Sequence, residues 1–132
     1  MSTAQRVFVG YATLVLVLGF LLGAVLGTLR MKAPAIRTLG TAHVETLMQA
    51  SLHFGLAFAV GAVGFDTTGA TWGAWLLVAG SSMQAAGGTL NWITATTDQF
   101  AERSPGFKLN SLSTFVMLPG LAITAVGILT NL

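Results

Sequence analysis

The chain reads as an all-α integral membrane four-helix bundle, and three observations predict it. Of its 132 residues 54% are hydrophobic and only 8% are charged, whereas about 25% charge is ordinary for a soluble globule. The mean hydropathy is +0.78. The apolar residues form four runs, about 7–29, 42–64, 70–93 and 111–129, each near the ~20 residues that cross a bilayer core. One four-helix domain, 1–132, accounts for the whole sequence.

Composition also excludes function classes. The net charge of +2 rests on six basic residues against four acids, too few for a nucleic-acid partner. There is no cysteine, which removes disulfides, thiolate catalysis, iron–sulfur clusters and cysteine-ligated zinc. A metal therefore needs His, Glu or a porphyrin.

The first run, Val7 to Leu29, lies uncharged between Arg6 and Arg30. It exceeds the ~7–15 apolar residues of a secretory signal and is read as a retained helix. Gly19, Gly23 and Gly27 repeat every four residues, a nearly bare face on which another helix can close in. Arg30, Lys32, Pro34 and Arg37 form a basic loop before the second helix. Thr41 is the expected N-cap of that helix, with Glu45 near its first turn.

The second helix ends at Gly64, and Asp66-Thr67-Thr68-Gly69 is a tight polar turn. Helices 2 and 3 are therefore expected as an antiparallel hairpin. On helix 3, Gly80, Ser81, Gln84, Gly88 and Asn91 share a polar and small face, expected to oppose helix 2. Trp72, Trp75 and Trp92 lie towards its ends, as interfacial anchors do. Thr97 to Lys108 is the longest connection and the expected lid or subunit contact. Pro119-Gly120 within the last helix frees a backbone carbonyl and invites a kink. Arg6 alone stands with the termini and the 2–3 turn, against Arg30, Lys32, Arg37, Arg103 and Lys108 in the other two loops. The positive-inside rule then places both termini outside a multi-pass protein of the inner or plasma membrane.

Function points to the second run, AHVETLMQASLHFGLAFAVGAVGF, residues 42–65. Glu45, Gln49 and His53 follow at i, i+4 steps, and His43 lies at the edge of the same half of the helix. A polar face in hydrocarbon costs several kcal/mol unless it meets a bundle interior, water or a cofactor. His43 and His53 are ten residues apart, or ~15 Å along a helix, too far for one metal. There is no HExxH or HxH motif, and no second helix carries histidine, which disfavours a protein-only zinc site. A planar cofactor with one axial imidazole remains open, as do helix bridging and proton handling. No serine-histidine-carboxylate order or phosphate loop is apparent.

The string AHVETLMQ around His43 and Gln49, the Gly64-Phe65 that closes the segment, the run GAWLLVAG and the late LPG together resemble the styrene oxide isomerase family of small four-helix membrane proteins. The likeness is ungapped from His43 to about Asn91 and looser through helix 4. It implies a homo-oligomer, a trimer, binding haem b at subunit interfaces. Ferric iron there is a Lewis acid that rearranges a small hydrophobic epoxide to a carbonyl compound. It makes His43 the haem-binding and metal ligand. It places Gln49 where the family has a substrate-orienting asparagine. Gly80 and Gly88 stand where the family has an aspartate and a tyrosine, and Gln84 and Asn91 are the expected partial substitutes on the same face. Two further readings stay open: a non-enzymatic haem or electron-transfer subunit, and a cofactor-free transport or structural subunit.

Overall fold

The computed structural model describes residues 1–30 and 37–132. It is all-helical, with four helices in chain order: α1 (Thr3–Arg30), α2 (Arg37–Ala62), α3 (Thr68–Ile93) and α4 (Pro105–Thr130). Lys32 and Pro34 of the expected basic loop lie outside the described residues. Two helices are long and apolar enough to cross a membrane, α1 over Thr3–Leu29 and α4 over Pro105–Thr130. The polar seams of α2 and α3 keep both below that hydropathy.

Each described helix end has a local cause. At the start of α1, Ser2 Oγ accepts from Gln5 N at 3.2 Å and Gln5 Oε1 accepts from Ser2 N at 2.8 Å, a reciprocal capping box. Helix α2 ends where Gly64 takes φ +66°. Phe65 N then donates back to Val60 O at 3.1 Å, the αL closure that glycine permits most cheaply. Thr67 caps α3 by accepting from Ala70 N at 3.2 Å.

Two expected starts are corrected. Thr41 does not cap α2: its hydroxyl donates to Arg37 O at 3.1 Å one turn back, so it lies inside the helix. The fourth helix begins at Pro105 rather than 111. Ser104 caps it by accepting from Phe107 N at 3.0 Å, and proline at the first helical position has no N–H to waste. The expected lid, Thr97 to Lys108, thus loses its last four residues to α4, the connection between α3 and α4 runs over 94–104, and the helix continues through Pro119.

The largest interface joins α3 to α4, followed by α1 with α2. Small residues recur every seven positions on both antiparallel partners, Gly73, Gly80 and Gly87 on α3 and Gly106, Ser113 and Gly120 on α4. A Cβ on Gly120 would lie 2.9 Å from Leu77 N and 3.0 Å from Gly73 O. A Cβ on Gly80 would lie 3.0 Å from Ser113 O. A seven-residue period on a helix keeps one seam facing its partner. Gly80 therefore faces α4, not α2, and so does Asn91, whose Oδ1 accepts from Ser104 Oγ at 2.6 Å.

On α1 the glycine repeat is used in part. Gly19 meets Leu47 and Thr46, and Gly23 meets His43, whereas a Cβ on Gly27 has nothing within 4 Å among the described residues. Trp92 packs on Leu22, Leu26, Leu39 and Ala42 instead of anchoring an interface; Trp72 and Trp75 are exposed.

Gly120→Ala must separate α3 from α4 at backbone, and a loss of ~1–3 kcal/mol follows from overpacking. Gly27→Ala meets open space among the described residues and gains ~0.5–1 kcal/mol of helix propensity. Thermal unfolding of the two variants in detergent, followed by circular dichroism, is expected to shift in opposite directions.

Candidate functional site

The i, i+4 phase of α2 sets one row of polar side chains against α3. Gln49 is the junction. Its Oε1 accepts from the Tyr11 hydroxyl at 3.1 Å, and its Nε2 donates to Gln84 Oε1 at 3.2 Å. One carboxamide thereby ties α1, α2 and α3 together. The two expected site glutamines are in direct contact.

One turn on, His53 is fully buried. Its Nδ1 lies 2.8 Å from Gln49 O. A carbonyl only accepts, so Nδ1 carries the proton and Nε2 the lone pair. Ser81 Oγ, 3.5 Å from Nε2, donates to it. Phe8 and Tyr11 enclose the imidazole, with ring centroids 5.7 and 4.6 Å away. A serine hydroxyl beside a histidine is the geometry of a nucleophile and its base. Here both side chains are 0% exposed, so nothing reaches the hydroxyl and the pair acts as a tie between helices.

His43 is placed differently. It is half-buried, and its Nδ1 lies 2.7 Å from Gly19 O on α1. The same logic protonates Nδ1 and leaves the Nε2 lone pair unused. Gly23 makes this possible, since a Cβ there would lie 2.7 Å from His43 Cε1. His43 and Gln49 are six residues apart, ~9 Å along the axis, and they reach different neighbours. His43 lines neither of the two cavities that flank the bundle.

The first cavity, about 440 Å³, is an apolar groove between α1 and α3, lined by Tyr11, Val15, Leu18, Ala85 and Leu90, with Ser82 as a polar wall. The second, about 450 Å³, is polar and lies at the end of the bundle where α2 starts and α3 stops. Glu45 and Gly88 both line it, and a Cβ on Gly88 would lie 2.8 Å from Glu45 Oε2. Glu45 thus fills space that a larger side chain at 88 would take. Among the described residues no three of His, Cys, Asp and Glu come together as a metal-binding group.

Tyr11 escapes sequence reasoning. It is the chain's one tyrosine, and a single polar residue in an apolar run makes no stripe. The available signal is that it is the one phenol among the 23 uncharged positions between Arg6 and Arg30. Asn110, whose buried Oδ1 has no donor among the described residues, stands just ahead of the helix that hydropathy predicts, outside the stretches the sequence singles out.

Thr97 and Asp98 form part of the polar cavity's wall. Glu102 holds them: its Oε1 accepts from Thr97 N at 2.9 Å, Thr97 Oγ1 at 2.7 Å and Asp98 N at 2.9 Å. These donors, the Asp98 amide foremost, hold its carboxyl below the usual carboxylate range. No family model, curated protein or solved structure matches the chain. Fold and site define it on their own terms, as a four-helix protein with a polar seam, two imidazoles each anchored through Nδ1, and, among the described residues, cavities of opposite character.

Two outcomes follow. Tyr11→Phe strands the buried Gln49 Oε1 and is expected to cost ~1–3 kcal/mol in chemical or thermal unfolding. For Glu102 the folded carboxyl is the more acidic one. Its bracing of the loop is complete above the unfolded carboxyl pKa of ~4.3 and lost as pH falls through the lower folded value. Amide exchange at Thr97 and Asp98, corrected for intrinsic rate, is expected to accelerate only at acid pH, and at neutral pH in Glu102→Gln.

Proposed function

We propose that the chain is a multi-pass protein of the inner or plasma membrane with both termini outside. In this reading it assembles as a homo-oligomer, holds haem b through His43 and rearranges a small hydrophobic epoxide to a carbonyl compound. The lipid bilayer as partner is supported by the exterior: Leu14, Phe20, Phe58 and Phe115 are 65–78% exposed, surface that water disfavours and lipid tails accept.

The observation that carries the reading is His43. Metal-ligating imidazoles commonly donate the other ring N–H to a carbonyl, which fixes tautomer and orientation. The 2.7 Å contact to Gly19 O has that form and leaves Nε2 as the ligating atom. A single imidazole suits a porphyrin, which supplies its other four donors. Ferric haem bound there supplies a Lewis-acid position for an epoxide oxygen.

The chain's own residues supply the rest. The groove beside Tyr11 offers aliphatic walls to an apolar substrate and keeps out water that would hydrolyse a carbocation-like intermediate. Gln49, backed by Gln84, fixes the Tyr11 phenol at that groove. This phenol takes the part of the tyrosine that the family resemblance sets at Gly88. Because His43 lies outside the groove in one chain, joining imidazole to groove takes a second copy. That agrees with the trimer and interfacial haem which the resemblance implies.

A second reading has an observation of its own. Gln49, Gln84, Tyr11, His53 and Ser81 satisfy one another, as they would in a cofactor-free structural or transport subunit. A non-enzymatic haem subunit instead calls for a second axial ligand from another chain.

Expression with ample haem and purification in detergent separates these. The isomerase reading expects a Soret band that His43→Ala abolishes. It also expects haem affinity to fall ~10–100-fold in Gly23→Ala, which displaces the ring while keeping it. A colourless wild-type protein selects the cofactor-free subunit. A six-coordinate bis-histidine spectrum selects the electron-transfer subunit.

A further inference from the structure

The connection between α3 and α4 carries an aromatic ring and two cations that neither cavity accounts for. Phe100 is 68% exposed there. It is held in place: Asp98 Oδ1 accepts from Phe100 N at 3.0 Å and Ala101 N at 3.1 Å, and its ring meets that of Phe107 edge to face, centroids 5.3 Å apart. Arg103 and Lys108 are both exposed beside this pair in sequence. Arg103 takes φ +45°, a conformation that glycine adopts at lower cost. An arginine kept where the backbone favours glycine points to a task for its side chain.

Charge and depth say what that task is. The two acids of the connection serve its own donors, Glu102 by accepting from Thr97 and Asp98 and Asp98 as above, and Asp98 shares the wall of the polar cavity with Arg37. Arg103 and Lys108 are left to meet what lies outside. Helix α4, with 26 residues, rises ~39 Å, against a hydrocarbon core of ~30 Å with headgroup layers of ~5 Å or more on each side. The Lys108 ammonium stays out of hydrocarbon, so the excess length falls at the start of the helix. Phe100, Arg103 and Lys108 then stand at headgroup depth.

We propose that this end of the bundle binds the anionic phospholipid headgroups of its leaflet, Arg103 and Lys108 donating to phosphate oxygens and Phe100 entering at the headgroup–acyl boundary. Guanidinium and ammonium groups only donate and phosphate oxygens only accept, the strong charge-assisted case. A phosphatidylcholine phosphate has a cation of its own beside it, and a phosphatidylglycerol phosphate does not. The inference rests on the membrane reading and is independent of haem.

Native mass spectrometry of the full-length protein in detergent, titrated with phosphatidylglycerol and with phosphatidylcholine of the same acyl chains, tests this. Phosphatidylglycerol is expected to bind at least roughly fivefold tighter, the size of one cation at an anionic surface. Lys108→Gln is expected to lower that preference severalfold. So is Arg103→Gly, which relaxes the φ +45° backbone and therefore does not lose binding through misfolding. Arg30→Gln, an equal loss of charge at the same end of the bundle, is expected to keep the preference, and millimolar glycerol phosphate is expected not to displace the lipid. Equal binding of the two lipids, wild-type preference in both loop variants, an equal fall in Arg30→Gln, or displacement by glycerol phosphate would each overturn the inference. Binding of neither lipid would remove the membrane reading itself and the inference with it.

Discussion

The bundle depends on one buried carboxamide being satisfied from both sides. Gln49 is 6% exposed and has to place a donor and an acceptor where water does not reach. It does so by accepting a hydrogen bond from Tyr11 on α1 and donating one to Gln84 on α3. The three helices are thereby held in a single register. A one-residue slip of α2 would turn the carboxamide by roughly 100° and strand all three groups, so the polar contacts specify an arrangement that apolar packing alone leaves loose. His53 extends the constraint by one turn, since its Nδ1–H is held by the carbonyl of Gln49 itself.

The fourth helix is held by a different principle. It carries few polar groups towards α3, and its buried positions are Gly106, Ser113, Gly120, Thr124 and Gly127. Small side chains let the backbones approach, and the seven-residue spacing on both helices keeps that contact along their length. Gly80 is therefore committed to α4 packing. No side chain at that position would reach the α2–α3 seam without first displacing Ser113 and Met117. Position 80 is therefore one where the α3–α4 contact itself demands a residue without a side chain.

The sequence made the α2–α3 seam legible because i, i+4 recurrence of Glu45, Gln49 and His53 is a direct readout of helical phase, and Ser81, Gln84 and Gly88 answer it in antiparallel order. Assigning Gly80 and Asn91 to the same face failed for the same reason it succeeded elsewhere. A broad face spans more than one neighbour, and phase alone does not say where α2 ends and α4 begins. Ser104-Pro105-Gly106 reads as a loop by composition, yet serine as cap and proline at the first helical position also open a helix. Thr41 looked like a cap because the basic stretch before it hid a further turn. Tyr11 was invisible to any periodicity argument, since one residue has no period.

Donor and acceptor counts, more than shape, separate the two cavities. They are nearly equal in volume, about 440 and 450 Å³, so size assigns nothing. The groove beside Tyr11 has its hydroxyls already paired, Tyr11 to Gln49 and Ser82 and Thr89 to carbonyls of their own helix, and what it offers a guest is aliphatic contact beside one oriented phenol. The cavity at Glu45 is walled by hydroxyls, amides and carboxylates, Thr41, Asn91 and Asp98 among them, so a guest there exchanges water for polar contacts. A wholly apolar guest suited to the groove would desolvate those groups for nothing, and a charged guest would lose its hydration in the groove with no partner to replace it. The two cavities therefore select by polarity, provided that Gly88 stays small and leaves Glu45 its place in the wall.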